Sequence, residues 1–379
     1  MSFIFMQIQM FSFSIAKKAF LVFCIICLGV SSAWAQVRTY SNEFLSLGVG
    51  ARALAMGNAQ NALSDDVMAA YWNPAGLTNV ANTQLAAMHA EWFAGIAQYD
   101  YLAMAFPLAE KQTLALSVIR FGVDDIPNTL ALVEADGTIN YNNLSSFSAA
   151  DYAFLVSYAR AFSERLLFGA NFKVIYRKVG SFANAWGFGL DAALQYKLSE
   201  RLTLGANLKN VTTTYNSWKF NFTEEEKQQL AATDNLIPEK SVELTGQDFT
   251  IGAAYALIEN DTWQLRSVLD LSLTFDGKRN NLLSSSVVNA DPRLGVEAGY
   301  KNLVFLRLGI NNVQKYTRDA AKSAQWNMQP NAGIGLVINK VSVDYALTGL
   351  NRVGTGVFSH VFSLKVTFGG GDEVYTPAF

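Results

Sequence analysis

Residues 186–197 read WGFGLDAALQYK and alternate between two kinds of side chain. One face carries Trp186, Phe188, Leu190, Ala192, Leu194 and Tyr196, and the other carries Gly187, Gly189, Asp191, Ala193, Gln195 and Lys197. A period of two predicts a β-strand with one apolar and one polar face. A soluble sandwich also alternates, but aromatic residues at both ends of the apolar face are typical of membrane barrels. The stretch therefore favours a strand that crosses a membrane.

The same alternation recurs along the chain in fourteen segments. Their length is sufficient to cross a bilayer at a tilt, and an even number suits a bacterial single-chain barrel. We predict an all-β fold, a transmembrane antiparallel β-barrel of about 14 strands with an N-terminal plug segment. The alternation is weakest in the first three segments and in the tenth. The predicted strands are 84–93, 97–108, 111–121, 148–160, 166–178, 184–197, 201–212, 248–259, 262–275, 293–301, 302–311, 329–338, 340–349 and 357–368.

Short turns and longer connections alternate between these strands. Short turns lie around Glu110, Glu164 and Glu200, whereas 122–147 and 213–247 are long loops. Outer-membrane barrels have short periplasmic turns and longer loops outside the cell. The sequence therefore predicts a protein of the cell outer membrane, surrounded by its lipid, with both termini periplasmic.

The composition argues against several classes of protein. Charged residues make up 16% of the chain and the formal net charge is -2, so we expect no nucleic-acid partner. With two histidines, two cysteines and no hydrolase or phosphate-loop motif, we predict no enzyme activity, no cofactor and no metal site. The charges on the predicted lumen face have both signs and are expected to pair with one another: Lys173, Arg177, Asp191, Lys197, Arg266, Asp270, Glu297, Arg307, Asp344 and Lys365.

The N-terminus has the pattern of an export signal. Lys17 and Lys18 precede a short apolar run, and Ala33-x-Ala35 fits a cleavage site. Met10 is a second candidate for the true start. We predict a removed signal peptide over 1–35, a plug over 36–82, a barrel over 83–368 and a periplasmic tail over 369–379.

The segment 36–82 does not alternate and is rich in alanine and glycine. Ser64 is predicted to cap a short helix over 65–71, which Asn73-Pro74 would end. We favour a plug inside the lumen; the alternative is a periplasmic domain packed beneath the barrel. In the long loop 213–247, the spacing of Thr223 and Glu226 predicts a capped surface helix.

Several short motifs of the first segment carry a resemblance. They include Gly50-Ala51-Arg52-Ala53, Met56-Gly57, Asp65-Asp66 and Tyr71-Trp72-Asn73-Pro74-Ala75-Gly76-Leu77. Followed by fourteen strands, they resemble the PorV/PorQ outer-membrane family of Bacteroidota, which is related to the FadL-type transporters of hydrophobic compounds. The resemblance implies a structural role for the plug motif, which comprises Gly57, Trp72, Asn73, Pro74, Ala75 and Gly76.

Two functions follow from that resemblance. The PorV/PorQ branch implies a non-enzymatic role in type IX secretion, with the translocon and secreted cargo proteins as partners. The FadL branch implies a channel for hydrophobic small molecules, with a hydrophobic ligand or lipid in the lumen. Apolar residues in the long loops favour partner binding over the channel, and the candidate contacts are Ile126, Leu130, Leu132, Val133, Leu236 and Ile237.

Overall fold

The structure is a computed structural model that describes residues 41–134, 137–232, 235–237, 240–316, 325–350 and 358–369. The predicted signal peptide, and the tail beyond 369, lie outside these residues. The described residues form seventeen strands: β1 (Thr83–Trp92), β2 (Ala97–Ala109), β3 (Gln112–Asn128), β4 (Ser145–Ala161), β5 (Leu166–Val179), β6 (Ala183–Lys197), β7 (Leu202–Lys209), β8 (Thr214–Phe220), β9 (Lys240–Thr245), β10 (Asp248–Glu259), β11 (Trp263–Thr274), β12 (Leu283–Ser284), β13 (Asn289–Tyr300), β14 (Val304–Tyr316), β15 (Gln325–Ile338), β16 (Val341–Thr348) and β17 (Ser359–Phe368).

Helices in the described residues are short. Three α-helices are α1 (Ala51–Ala55), α2 (Ala69–Trp72) and α3 (Glu224–Ala232), and three 3-10 turns cover Glu43–Ser46, Pro74–Asn79 and Tyr141–Asn143. Within the described ranges, no helix combines the length and the apolar composition needed to cross a membrane.

Fourteen of the strands form a closed antiparallel barrel, which confirms the predicted fold. β7 pairs with β10, β11 pairs with β13, and the last strand pairs with the first from Thr83–Phe368 to Glu91–His360. Each of the fourteen predicted segments overlaps one of these wall strands. Closure leaves no strand edge exposed, and this is the condition under which a sheet is stable in lipid.

The other three strands, β8, β9 and β12, extend the sheet where β6 and β13 begin, and they were not predicted. β8 continues the line of β7 and pairs with the first half of β6, and β9 pairs with β8. Asn210 and Thr213, both with positive φ, separate β7 from β8. The helix α3 follows, and its capping box is formed as predicted: Glu226 accepts from the Thr223 amide at 2.7 Å and the Thr223 hydroxyl accepts from the Glu226 amide at 3.2 Å.

The two faces of the wall agree with the alternation in the sequence. On β6, Trp186, Phe188 and Leu190 are 52%, 53% and 41% exposed on the outside, while Asp191 and Gln195 are buried inside. Tight turns such as Lys301-Asn302, where both residues have positive φ, connect strands at one end of the barrel. We call this the short-turn end, and the opposite end the long-loop end.

Residues 41–82, hereafter the plug, lie inside this barrel. From Gly48 to Leu77 every residue is buried except Arg52 and Met68, which are partly buried. The wall of a barrel of this size leaves a lumen wider than its own side chains can close, and the plug fills it.

The prediction for Ser64 is wrong. The helix begins at Ala69, and Asp66 rather than Ser64 accepts a hydrogen bond from the Met68 amide, at 2.9 Å. The Ser64 hydroxyl donates to Gln60 O at 2.7 Å, and its carbonyl accepts from Gln195 of the wall at 2.9 Å. Contacts with the wall thus override the local capping preference.

The substitution Leu190→Arg tests the outward face. It places a charge in mid-strand on the apolar belt, and we expect the free energy of unfolding in lipid to fall by about 2–4 kcal/mol. The measurement is denaturant unfolding in bilayers, followed by the gel shift between unheated and boiled protein.

The matched control is Leu236→Arg, the same substitution in a loop side chain that is 96% exposed. It should leave unfolding unchanged. Equal losses in the two variants would show that Leu190 does not face lipid.

Candidate functional site

The plug runs the length of the lumen. At the long-loop end, the Ser41 hydroxyl donates to Glu243 of β9 at 2.7 Å and accepts from Asn216 of β8 at 2.8 Å. At the short-turn end, Asn79 shares a small cavity with Lys197 and Thr203. β17 ends at the short-turn end, whereas Ser41 lies at the long-loop end; residues before Ser41 are outside the described part of the chain.

Five residues of the predicted plug motif meet around one turn. The Asn73 side chain accepts from the Ala75 amide at 3.1 Å, and it donates to Leu194 O of the wall at 3.1 Å. Pro74 then starts the 3-10 turn. A Cβ on Gly76 would lie 2.1 Å from Ser64 O, and the Trp72 indole donates to Val49 O at 2.8 Å. These residues set the shape of the plug.

Gly57, the sixth residue of the motif, lies away from this turn, against the wall. Its φ is +65°, and a Cβ there would come within 2.7 Å of the Ile310 backbone. Glycines of the wall also face the plug backbone closely. A Cβ on Gly309 would lie 2.0 Å from Met56 C, and one on Gly169 would lie 2.2 Å from Ala75 N. Plug and wall thus approach each other at backbone distance.

Charged groups hold the plug on strands β11–β17. Arg52 of the plug donates Nε to Glu297 Oε2 and Nη2 to Glu297 Oε1, both at 2.9 Å, and Nη1 to Asp65 at 2.7 Å. Arg307 Nε donates to Glu297 Oε2 at 2.7 Å, and Arg266 Nη1 lies 3.7 Å from Glu297 Oε1. We call this wall region the ionic sector. Its charges pair as the sequence analysis predicted, except Asp270, which accepts instead from the Gln60 and Asn61 amides of the plug, both at 2.8 Å.

A second tie joins the plug to β17. Lys365 donates to Asp66 Oδ2 at 2.7 Å. Burial raises the pKa of Asp66, but the charges of Lys365 and Arg52 outweigh it and lower that pKa below its usual value. A lowered carboxyl pKa stabilises the fold above the unfolded-state pKa of about 4, and that contribution is lost as the pH falls through the folded-state value. This tie therefore persists at neutral pH.

Amide side chains hold the plug on β5–β7. Asn171 donates to Ala70 O at 2.8 Å, Asn207 to Trp72 O at 2.7 Å and Gln195 to Ser64 O at 2.9 Å. These neutral side chains satisfy carbonyl groups of the plug that would otherwise be buried without a donor.

Strands β1–β4 present a different lumen face. Their fully buried side chains include Tyr99, Tyr101, Ile119 and Leu155, with many alanines between them, and none of these strands has a charged residue among its buried positions. Asp151, partly buried near the long-loop end of β4, accepts from Arg177 at 2.9 Å. We call this region the apolar sector. It packs against Val67, Tyr71, Trp72 and Leu77 of the plug.

The predicted partner-contact residues do not form one patch. Ile126 is a partly buried residue of β3 opposite Phe147, and Leu130 and Leu132 are partly buried. Val133, Leu236 and Ile237 are 47%, 96% and 36% exposed. Leu130, Leu132 and Val133 lie in the connection between β3 and β4, and Leu236 and Ile237 follow α3.

The described residues hold no group of three or more His, Cys, Asp or Glu side chains able to bind a metal ion. Both histidines point outward from the wall, where His89 contacts Asp100 and His360 contacts the Tyr345 hydroxyl, each at 2.7 Å. A polar cavity of about 350 Å³ lies at the long-loop end beside Glu43, Lys278, Arg279 and Asn280.

Sequence reasoning placed the wall charges Glu297 and Lys365 in the lumen but did not find their partners in the plug. Arg52, Asp65 and Asp66 stood out only within the short motifs that carry the resemblance. Tyr99 and Tyr101 gave a weaker signal, because they alternate with outward-facing residues that are also apolar.

Comparisons with known proteins show the fold. The Pseudomonas putida toluene transporter TodX is 14% identical, with 85% of this chain and 98% of TodX covered, at a TM-score of 0.52. The monoaromatic hydrocarbon channel CymD is 13% identical, with 86% and 98% covered, at 0.53. The Ralstonia pickettii toluene transporter TbuX is 14% identical, with 85% and 99% covered, at 0.50.

These solved structures have the same barrel fold as this chain. They are transporters and channels rather than enzymes. No family model matches the sequence, and no curated protein matches it. The comparisons give no support to the PorV/PorQ family in particular.

Glu297→Gln tests the ionic sector. The substitution removes the charge that three buried guanidinium groups share, and breaking a buried pair in this way costs about 3–5 kcal/mol. We expect a corresponding fall in the free energy of unfolding, and easier proteolysis of the plug in folded barrels.

Glu259→Gln is the matched control. Glu259 also pairs with Arg266, but its side chain is 34% exposed. Among the described residues, no hydrogen bond joins it to Arg52. This variant should lose less stability than Glu297→Gln and leave proteolysis of the plug unchanged, because Glu259 is partly exposed and pairs with the wall alone. Indistinguishable losses would show that Glu297 does not hold the plug.

Proposed function

We propose that the protein is a FadL-like channel that admits small hydrophobic molecules through the outer membrane. The apolar sector carries this proposal. A hydrophobic molecule that follows β1–β4 meets mainly alanine, other aliphatic and aromatic side chains, with the neutral Gln84, Thr113, Ser117 and Ser157 between them. It avoids the desolvation cost of passing buried charges.

The division of the lumen supports a route beside the plug. Ion pairs and amide hydrogen bonds fix the plug on β5–β7 and β11–β17. On β1–β4 the contacts are mainly apolar, and among the described residues the hydrogen bonds to the plug from this face come from Gln84 and Met88. Apolar contacts are non-directional. A hydrophobic ligand can therefore contact β1–β4 in place of the apolar side chains of the plug.

The membrane location belongs to the same proposal. The outward apolar belt suits a bilayer, and the short-turn end is assigned to the periplasm by the usual arrangement of bacterial barrels. The end of β17 then faces the periplasm. Ser41, which contacts β8 and β9 at the long-loop end, faces the outside of the cell.

Ile119 tests the route, since it is fully buried on the apolar sector. Ile119→Asn puts an amide of similar size on the path, and we expect toluene uptake to fall by about three- to tenfold, because an apolar molecule must then pass a buried polar group. Uptake is measured in cells of a Gram-negative host without its own hydrophobic channels, since the lipopolysaccharide layer supplies the barrier.

Ile119→Leu is the control at the same position and should retain uptake. Both variants are checked for the heat-dependent gel shift, so that loss of folding is recognised. If cells with the wild-type protein take up toluene no faster than cells without it, the channel proposal is wrong.

A secretion-associated interaction protein of the PorV/PorQ type is the second candidate. Exposed apolar loop residues favour it: Ile139 is 59% and Tyr141 is 74% exposed, beside Val133 and Leu236. A few such anchors carry most of the free energy of a protein interface. Translocon components and secreted cargo proteins are the partners that this candidate implies.

The loop variant Val133→Ser/Leu236→Ser separates the two candidates. In an interaction protein it should reduce co-purification of protein partners by about tenfold, as expected for the loss of one or two anchors. Toluene uptake should remain unchanged. Retention of every partner by the variant would exclude binding through these loops.

A further inference from the structure

The long-loop end of the apolar sector contains a cluster of aromatic residues on β1, β2 and β3. Tyr99 and Phe121 are direct cross-strand partners, with ring centroids 6.2 Å apart in an edge-on arrangement. Trp92 is the last residue of β1, and Tyr99 is the third residue of β2. We call Trp92, Tyr99 and Phe121 the aromatic corner.

Two polar atoms in this corner have no partner. The Tyr99 hydroxyl and the Trp92 indole Nε1 are buried and make no hydrogen bond within the described structure. Tyr99 as a whole is fully buried. Buried donors without acceptors are uncommon and each costs free energy. The observation points to an acceptor that is present when the site is in use.

The surroundings define the chemistry of that acceptor. Phe121 and Trp92 are only partly buried, and they pack on the same apolar cluster as Leu45 and Leu47 of the plug, near the mouth of the lumen. The buried positions of β1–β4 carry no cation that would pair with a carboxylate. Aromatic rings favour edge-on and offset contacts with another ring.

We propose that the aromatic corner binds a small aromatic molecule that carries one neutral hydrogen-bonding group, such as a phenol. The ring of the ligand packs against Phe121 and Trp92, and its oxygen accepts from Tyr99 or from the Trp92 indole. This inference rests on the proposed channel function and names its ligand class. The corner then discriminates a phenol from a hydrocarbon of the same shape before either passes the plug.

Two ligands of nearly equal size test the proposal, p-cresol and p-xylene. p-Cresol has a hydroxyl where p-xylene has a second methyl group. Binding of each radiolabelled compound is measured on full-length protein in lipid nanodiscs, with empty nanodiscs to subtract partitioning into lipid. Tyr99→Phe keeps the ring and removes the hydroxyl. We expect it to weaken p-cresol binding about fivefold, the effect of one neutral hydrogen bond, and to leave p-xylene binding within about twofold.

Further variants complete the experiment. Trp92→Phe, which removes the indole donor, should act in the same direction, and Tyr255→Phe, a tyrosine that is 41% exposed on the outside of β10, should change neither ligand. The two tyrosine variants lose only a hydroxyl, and Trp92→Phe also makes the ring smaller, so the heat-dependent gel shift is checked in all three.

The outcomes separate the two proposals. If both compounds bind wild type and neither Tyr99→Phe nor Trp92→Phe affects p-cresol, the aromatic corner is overturned and the channel stands. If neither compound binds wild type, the ligand site fails, and the toluene uptake of the Ile119 variants then decides the channel independently. Equal losses of p-xylene and p-cresol would assign Tyr99 a packing role and also overturn the proposal.

Discussion

One buried carboxylate determines how the inside of this barrel is arranged. Glu297 accepts from Arg52 of the plug and from Arg307 of the wall, with Arg266 nearby. Three guanidinium groups around a single carboxylate can be buried only because further carboxylates neutralise them, and Asp65, Asp344 and Glu259 do so. This network fixes the position of α1 against β14–β17 and, through it, the side of the lumen on which the plug is anchored.

The remaining wall follows from that anchorage. With charges concentrated on β11–β17 and amide donors on β5–β7, strands β1–β4 are free of buried charge and complete the enclosure with apolar contacts. Buried ionic networks are poor sources of net stability but specify position well. The plug is thus located by ion pairs on one side and packed by non-directional contacts on the other, and this asymmetry is what makes a route for apolar molecules physically reasonable.

The sequence predicted the barrel because lipid and lumen impose opposite polarities on alternate residues. That signal was clear in β6 and β11, where Asp191 or Asp270 faces inward between apolar outward neighbours. The signal was weak in β1–β3 because their lumen faces are apolar. The inward Tyr99 and Ala103 differ little in polarity from the outward Leu102. Weak alternation does not by itself mark an apolar lumen face, because the segment of β13 is also weak and carries Glu297 inward.

The interior of the plug could not be predicted in the same way. Ser64 has the right local sequence for a helix cap, yet its carbonyl is held by Gln195 of β6, which is 131 residues away in the chain. Likewise, β8 and β9 are held by pairing with the first half of β6 and with each other, which their own sequence does not reveal. The resemblance to outer-membrane barrels gave the correct fold, while the function that it implies remains a proposal.

The most direct measurement is a crystal structure of the protein soaked with bromobenzene, in which anomalous scattering locates the bromine atoms. The account predicts peaks inside the barrel along the apolar sector, next to Ala103, Ala115 or Ile119, three side chains buried there. Bromine peaks confined to the outer surface, or lying inside only against the ionic sector around Glu297, would contradict it.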